Sequence, residues 1–460
     1  MSTQKNMRMF NSERGSNSSE GAVSNPRTAD LPMSTLPEIS RSLAVEVLES
    51  CAVGDHTFLS LPWLRAARGF QQLVMSVFQG SRPTGHHAMP ASEILLVAAN
   101  PVAHGAKLVA TLRKCVLSST FSVVADARLG AEGLSIDHSF PGVSASSLAS
   151  SVTATRLIFA IKLRSKLPRG SVLVGSRSRL YREYLFIAQS MRYAACKDAV
   201  AALLPTTVLV TDYDRHTYCR PWVWAANAAG ISTVTLIHGS PNEANYIPVL
   251  AQYALVWGAV QKKWIEERST GTQVFVVGRP DLENDRVVLP SRASRVVMCH
   301  SREELSLDES KSLLAQLVKF RNQGYLITLR LHPSATRNDL DARWRAVADL
   351  ADDIVISRDS LVASLGRSDI VVCVLSSSAV EAIAVGVPAI VVADASRNLP
   401  SDLSAIRDAS PDLLREIEAG PSSFSGLDYL ASQILEATGD SAGVLLDQAL
   451  STIRSLENAP

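Results

Sequence analysis

The chain predicts an α/β protein with two parallel-sheet domains in tandem, facing each other across a cleft, behind a disordered N-terminal tail. Three observations carry this. Apolar strand-like runs alternate with longer helical patterns after Pro37, as in parallel sheets covered on both faces. The rhythm pauses near 279–293 and restarts after Pro290. The 460 residues also exceed what one ordinary hydrophobic core organises.

Residues 1–36 are rich in Ser, Asn, Arg and Gly without apolar periodicity, and read as the disordered tail. In the first half, strands are predicted at 94–99, 121–126, 171–175, 207–212, 232–239, 254–258 and 274–278. The stretch 178–204 spaces its apolar residues by three and four, as an amphipathic helix does. In the second half, strands are predicted at 295–301, 325–333, 353–358, 369–376 and 388–394. Between the first two of these, Ser306 reads as an N-cap and Gly324 as the stop of a helix. The last amphipathic stretch, 445–459, is expected to pack back across the first domain. The domains expected are therefore 37–285 and 286–435, both Rossmann-like, followed by a returning segment 436–460.

Composition excludes several classes. A net charge of +1 and 6% aromatic residues leave no basic-aromatic surface for nucleic acid. The six cysteines form no CxxC and no Cys/His cluster, so no metal site is predicted, and their usage suits a reducing cytoplasm. No signal peptide and no run of roughly 18 apolar residues is seen, which predicts a soluble or peripheral protein. The stretch 156–192 is strongly basic; a solvated helix face explains most of it, and contact with anionic lipid or a polyanionic acceptor is the second reading.

In open parallel sheets ligands bind beyond the carboxyl ends of strands. Five polar clusters are predicted there: 211–217, 238–246, Gly278-Arg279-Pro280, Arg330-Leu331-His332-Pro333, and Ser376-Ser377-Ser378 with Glu381. The serine turn before a helix offers hydroxyls and free N–H groups to a phosphate, with Glu381 placed for ribose hydroxyls. Equally, Ser378 and Glu381 have the spacing of a capping box that needs no ligand. Arg330 and His332 alternate along one strand and are expected on one face, able to neutralise a diphosphate; a buried structural histidine is the other reading. His238 is a candidate general base, with Asp214 and His216 as neighbours in that role. Asp212 reads better as a cap for the helix at 220–230.

With these residues in view, the C-terminal half resembles the donor domain of GT-B glycosyltransferases. RLHP followed by DIVVCVLSSSAVEAIAVGVPAIVV is similar to motifs of bacterial sialyl- and polysialyltransferases and of CDP-glycerol glycerophosphotransferases. The resemblance covers roughly residues 180–395. It implies that His332 and Ser376 to Ser378 bind nucleotide phosphates, that Arg279 and Arg330 line the donor site, and that His238 faces the acceptor. Where sialyltransferases carry an acidic-acidic-Gly element, this chain has Ala131-Glu132-Gly133, which argues against sialic acid as the donor sugar. The activity implied is metal-independent transfer of a sugar or polyol phosphate from a nucleotide-activated donor to a saccharide or lipid-linked acceptor, without a cofactor. Two alternatives are a non-hydrolysing nucleotide-sugar 2-epimerase, whose Asp-Ser-Gly-Gly run is missing here, and a catalytically silent nucleotide-binding scaffold.

Overall fold

The computed structural model describes residues 92–98, 106–116, 119–125, 137–139, 189, 192–193, 195–216, 218–282, 294–301, 305–332, 335–336, 340–356, 361–366, 369–419 and 425–457. The tail 1–36, the strand expected at 171–175, nearly all of 156–192, residues 131–133 and Pro333 lie outside the described residues.

The first sheet is built from β1 (Ile94–Val97), β2 (Phe121–Ala125), β3 (His138–Ser139), β4 (Val208–Thr211), β5 (Thr233–Leu236), β6 (Tyr253–Val256) and β7 (Gln273–Val276). Helices α1 (Ala106–Cys115), α2 (Arg220–Ala228) and α3 (Ala259–Arg268) lie between them in sequence. The second sheet holds β8 (Arg295–Cys299), β9 (Leu326–Arg330), β10 (Asp353–Val355), β11 (Asp369–Cys373) and β12 (Ala389–Val391). Its connections include α4 (Leu307–Asn322), α5 (Ala342–Leu350) and α6 (Ser378–Ala384), and α7 (Ser401–Ala419), α8 (Ser425–Ile434) and α9 (Gly439–Glu457) follow.

Strand order is β3-β2-β1-β4-β5-β6-β7 in the first sheet and β10-β9-β8-β11-β12 in the second, with parallel pairing throughout. Both therefore follow the doubly wound 3-2-1-4-5 order, which reverses direction between β1 and β4 and between β8 and β11. The protein is an α/β molecule of two Rossmann-like domains, as the alternating pattern predicts.

The side-chain period of two explains why both faces need cover. Leu95, Val97, Leu209, Ala254 and Val256 pack with Trp222 and Val223 of α2 and Ile265 of α3. Ile94, Leu96, Val208, Val210, Val234 and Leu255 pack on the other face with Leu108, Val109 and Leu112 of α1. That second layer is completed by α9, whose Leu446, Ala449, Leu450 and Ile453 recur at helical spacing and are all buried. The chain thus ends against the domain in which its first described strands lie. Ion pairs from Lys114 to Asp440 (2.9 Å) and from Arg454 to Glu93 (2.7 Å) flank the seam.

The return is tight because glycine permits it. A Cβ on Gly278 would sit 2.2 Å from the Ala437 carbonyl oxygen, and one on Gly258 would sit 2.3 Å from that of Ile434. The Arg279 amide donates to Ala437 O at 2.9 Å and the Glu436 amide to Trp257 O at 2.9 Å. In the second domain Ser306 and Glu309 form a capping box at the start of α4, and Gly324, at φ +88°, follows its C-cap.

Several strands end sooner than the apolar runs suggest. The predicted 325–333 stops at Arg330, 369–376 at Cys373 and 232–239 at Leu236. The polar residues closing each run leave the ladder and turn beyond the sheet.

Candidate active site

A cavity of about 270 Å³ lies beyond the C-terminal ends of β5, β6 and β7, closed on its far side by the start of α6. The first domain lines it with Leu108, Ile237, His238, Trp257, Arg279 and Asp281, among others. The second contributes Ser377 and Glu381. Four of the residues singled out from the sequence, His238, Arg279, Ser377 and Glu381, therefore share one wall-to-wall space.

His238 follows β5 and is oriented from behind. Its Nδ1 lies 2.5 Å from the Asp212 carbonyl oxygen, which can only accept, so Nδ1 carries the proton and donates. The basic nitrogen is then Nε2. Tyr213 and Tyr246 pack against the ring, each with its centroid 6.1 Å away, and lie 5.5 Å from each other. Burial pushes the imidazole pKa down from its ordinary 6.5, the Asp212 bond opposing and the Arg279 charge adding to the fall. A histidine that is neutral near pH 7, with one nitrogen tied to a carbonyl, has the protonation state of a general base.

Arg279 lies at the cavity wall with its charge already engaged. Nε and Nη2 donate to the two Asp281 oxygens at 2.7 and 2.6 Å, and the guanidinium carbon stands 4.3 Å from the Trp257 ring centroid. Asp281 and Trp257 went unnoticed as site residues in the sequence. An Arg-x-Asp pair at 279–281 was a legible signal; nothing in the sequence marks Trp257 as the surface under it.

Behind the cavity a hydrogen-bonded chain joins the domains. Trp257 Nε1 donates to Ile237 O at 2.7 Å, and the Trp257 amide donates to Gln261 Oε1 at 2.9 Å. Gln261 Nε2 donates to Asp402 Oδ2 at 2.8 Å. Asp402, at the start of α7, is fully buried. Burial pushes its carboxyl up to about 6, against the pull of the Gln261 bond and the more distant Arg279 charge. Gln261 and Asp402 are 141 positions apart, so no local pattern could reveal the pairing.

The other second-domain candidates form a shelf at the ends of β8, β9 and β11. Arg330 is buried and its Nη1 donates to Ser364 Oγ at 2.9 Å. His332 lies past the end of β9 and is exposed, so the expectation that it shares a strand face with Arg330 is corrected. The buried histidine here is His300, after β8, whose ring meets Trp344 edge-on at 4.7 Å. Its Nδ1 accepts from the His332 amide at 3.4 Å. Burial pushes the Cys299 thiol up to about 12, with the Ser378 hydroxyl and the Arg330 charge both pulling the other way. Those two side chains thus converge on the end of β8.

The capping-box reading of Ser378 and Glu381 is not what forms. The N-cap of α6 is Ser377, with no side-chain cap bond, while Ser376 Oγ accepts from the Ser378 amide at 3.2 Å and donates to Ser378 Oγ at 2.9 Å. The Glu381 carboxylate has no hydrogen-bond partner among the described residues and lines the cavity.

Two aspartates need correction. Asp214 is fully buried, and its Oδ2 accepts the amides of Leu250 and Ala251 at 2.6 and 3.0 Å. It pins the 247–251 turn and does not line the cavity. Burial pushes its pKa up, with these two amide bonds pulling it down. Asp212 does not cap α2, whose N-cap is Cys219 without a side-chain bond. It offers its carbonyl to His238 and takes the Cys219 thiol at 3.7 Å. His216 stacks on Tyr218 with ring centroids 5.6 Å apart.

Among the described residues no group of three or more His, Cys, Asp or Glu gathers as a metal site, and no helix is long and apolar enough to cross a membrane.

No protein-family model matches the chain, and no curated protein matches it. Among solved structures it is similar to a Listeria monocytogenes protein carrying the provisional name UDP-N-acetylglucosamine 2-epimerase, at 16% identity and a TM-score of 0.46, over 80% of this chain and 97% of that one. It is also similar to the lipopolysaccharide outer core galactosyltransferase WaaB (13% identity, TM-score 0.45, 78% and 99% covered). A third likeness is to UDP-GlcNAc 2-epimerase from Neisseria meningitidis, bound to UDP-GlcNAc (12% identity, TM-score 0.43, 79% and 100% covered).

Proposed function

We propose that the chain is a glycosyltransferase that moves a sugar from a nucleotide-activated donor to a hydroxyl of a saccharide or lipid-linked acceptor. The observation that carries this reading is the meeting of His238, tied through Nδ1 to Asp212, with Ser377 and Glu381 of the opposite domain in one cavity. A base from one domain and hydroxyl-binding groups from the other suit a reaction between two bound substrates.

In this reading Nε2 of His238 takes the proton of the acceptor hydroxyl as its oxygen attacks the anomeric carbon. The bond from that carbon to the nucleotide phosphate breaks, and the electron pair leaves with the phosphate. Arg330, His332 and the Ser376–Ser378 turn receive the growing negative charge. Glu381 accepts hydrogen bonds from donor hydroxyls. Trp257, Gln261 and Asp402 hold the strand end that bears His238.

The test begins with thermal shifts against CMP, CDP, UDP, GDP and dTDP, because a ligand of the native state raises the melting temperature by mass action. His332→Ala and Ser377→Ala should then weaken binding of the responding nucleotide, by calorimetry, without unfolding the chain. Normal binding by both variants would remove the phosphate assignment. A product that is the C2 epimer of the donor sugar, without transfer, would replace transferase by epimerase.

A further inference from the structure

The charges around the cavity do not balance, and the imbalance has chemical meaning. Among the described residues its cation is Arg279 and its carboxylates are Asp281 and Glu381. Arg279 gives its Nε and Nη2 edge to both Asp281 oxygens, and its face lies over Trp257, so its charge is answered by Asp281. Glu381 remains, with no hydrogen-bond partner among the described residues. Asp402 adds negative charge behind Arg279 once it ionises. Leu108, Ile237 and Trp257 form an apolar wall beside these groups. At about 270 Å³ the space falls below the roughly 300–1,000 Å³ of pockets for drug-sized ligands. One ring fits that scale better than a whole nucleotide conjugate. An amphipathic ring with hydroxyl donors on its rim matches an apolar wall facing a carboxylate acceptor.

We infer that the cavity selects the donor by the charge of its sugar, admitting an uncharged monosaccharide unit and refusing one that carries a carboxylate. The inference rests on the donor-sugar reading above and adds the chemical class of the transferred group. Glu381 is the discriminating residue: it accepts from ring hydroxyls and repels a sugar carboxylate brought beside it.

The test uses the full chain and isothermal calorimetry. CMP, CDP, UDP, GDP and dTDP identify the nucleotide that binds, and its hexose conjugate is then compared with the hexuronate conjugate of the same base. The hexose conjugate should bind about a hundredfold more tightly, the scale of a close like-charge contact at a partly screened site. In Glu381→Gln the ratio should fall to about tenfold or less, because the amide still accepts from hydroxyls but no longer repels. Normal nucleotide binding with equal affinity for the two conjugates overturns the charge inference alone, and the wild-type comparison decides this even where the variant folds poorly. A hundredfold preference that survives Glu381→Gln removes Glu381 from the role. Absence of binding by all five nucleotides and their conjugates overturns the donor reading and this inference together.

Discussion

Nδ1 of His238 lies 2.5 Å from the carbonyl oxygen of Asp212, so a backbone atom sets the tautomer of a histidine that lines the cavity. A carbonyl cannot titrate, and the orientation it imposes holds across the pH range. His238→Ala should therefore remove about 10²–10⁴ in transfer rate while nucleotide affinity stays normal. Single-turnover rates and calorimetry on the same variant check both halves. Because burial holds the imidazole below its ordinary 6.5, the acid limb of kcat/KM against pH should fall below that value. A limb above it would mean another group is titrating.

Asp214→Ala should behave differently. The carboxylate holds two amides of the 247–251 turn and makes no approach to the cavity, so its loss should cost about 2–4 kcal/mol of stability. Chemical denaturation should show this, with the residual folded enzyme keeping most of its transfer rate. A folded variant without the chemical step would restore Asp214 as the base.

Asp402 makes the molecule's stability depend on pH. Its folded-state value of about 6 lies above the ordinary 3.8, so the native protein binds the proton more tightly than the unfolded chain. The contribution is fully present below about 3.8 and is lost as pH rises through about 6. Asp402→Asn stays neutral and can still accept from Gln261. Its stability relative to the parent should rise between pH 5 and pH 8 by about 1–1.5 kcal/mol. Urea titrations at the two pH values measure this, and a constant difference would place the proton elsewhere.

Gly278→Ala should be far costlier than Gly230→Ala. Both glycines have positive φ, +75° and +73°, but only at Gly278 does a Cβ meet backbone, the Ala437 oxygen at 2.2 Å. The left-handed conformation alone should cost about 1–2 kcal/mol at Gly230, against about 2–4 kcal/mol or more at Gly278. Equal losses would show that the returning segment yields easily.

Leu446→Ala should lose about 2–5 kcal/mol, because Leu446 is fully buried between α9 and the first sheet's inner helix layer. A truncation ending before α9 should expose the face of α1 and fail to give a soluble protein. A stable, soluble truncated chain would contradict the role of α9 as a layer of the first domain.

The sequence by itself determined the alternation of strand and helix, the tandem repetition of that pattern and the capped start of α4 at Ser306. These are legible because burial and hydrogen bonding impose periods of 2.0 and 3.6 on neighbouring residues. It also placed polar clusters at strand ends, since apolar runs stop where side chains leave the core. What those polar groups do is a matter of long-range partners. His238 is tied to a carbonyl 26 positions away and Asp402 to an amide 141 positions away, and Asp214 turns inward to Leu250 and Ala251. His332 is exposed because it lies past the end of β9 at Arg330, and His300 is buried against Trp344, 44 positions away. Hydrogen bonds and charge contacts act over a few ångströms of space and are blind to sequence separation, so only the tertiary structure decided which polar residues staple the fold and which face the cavity.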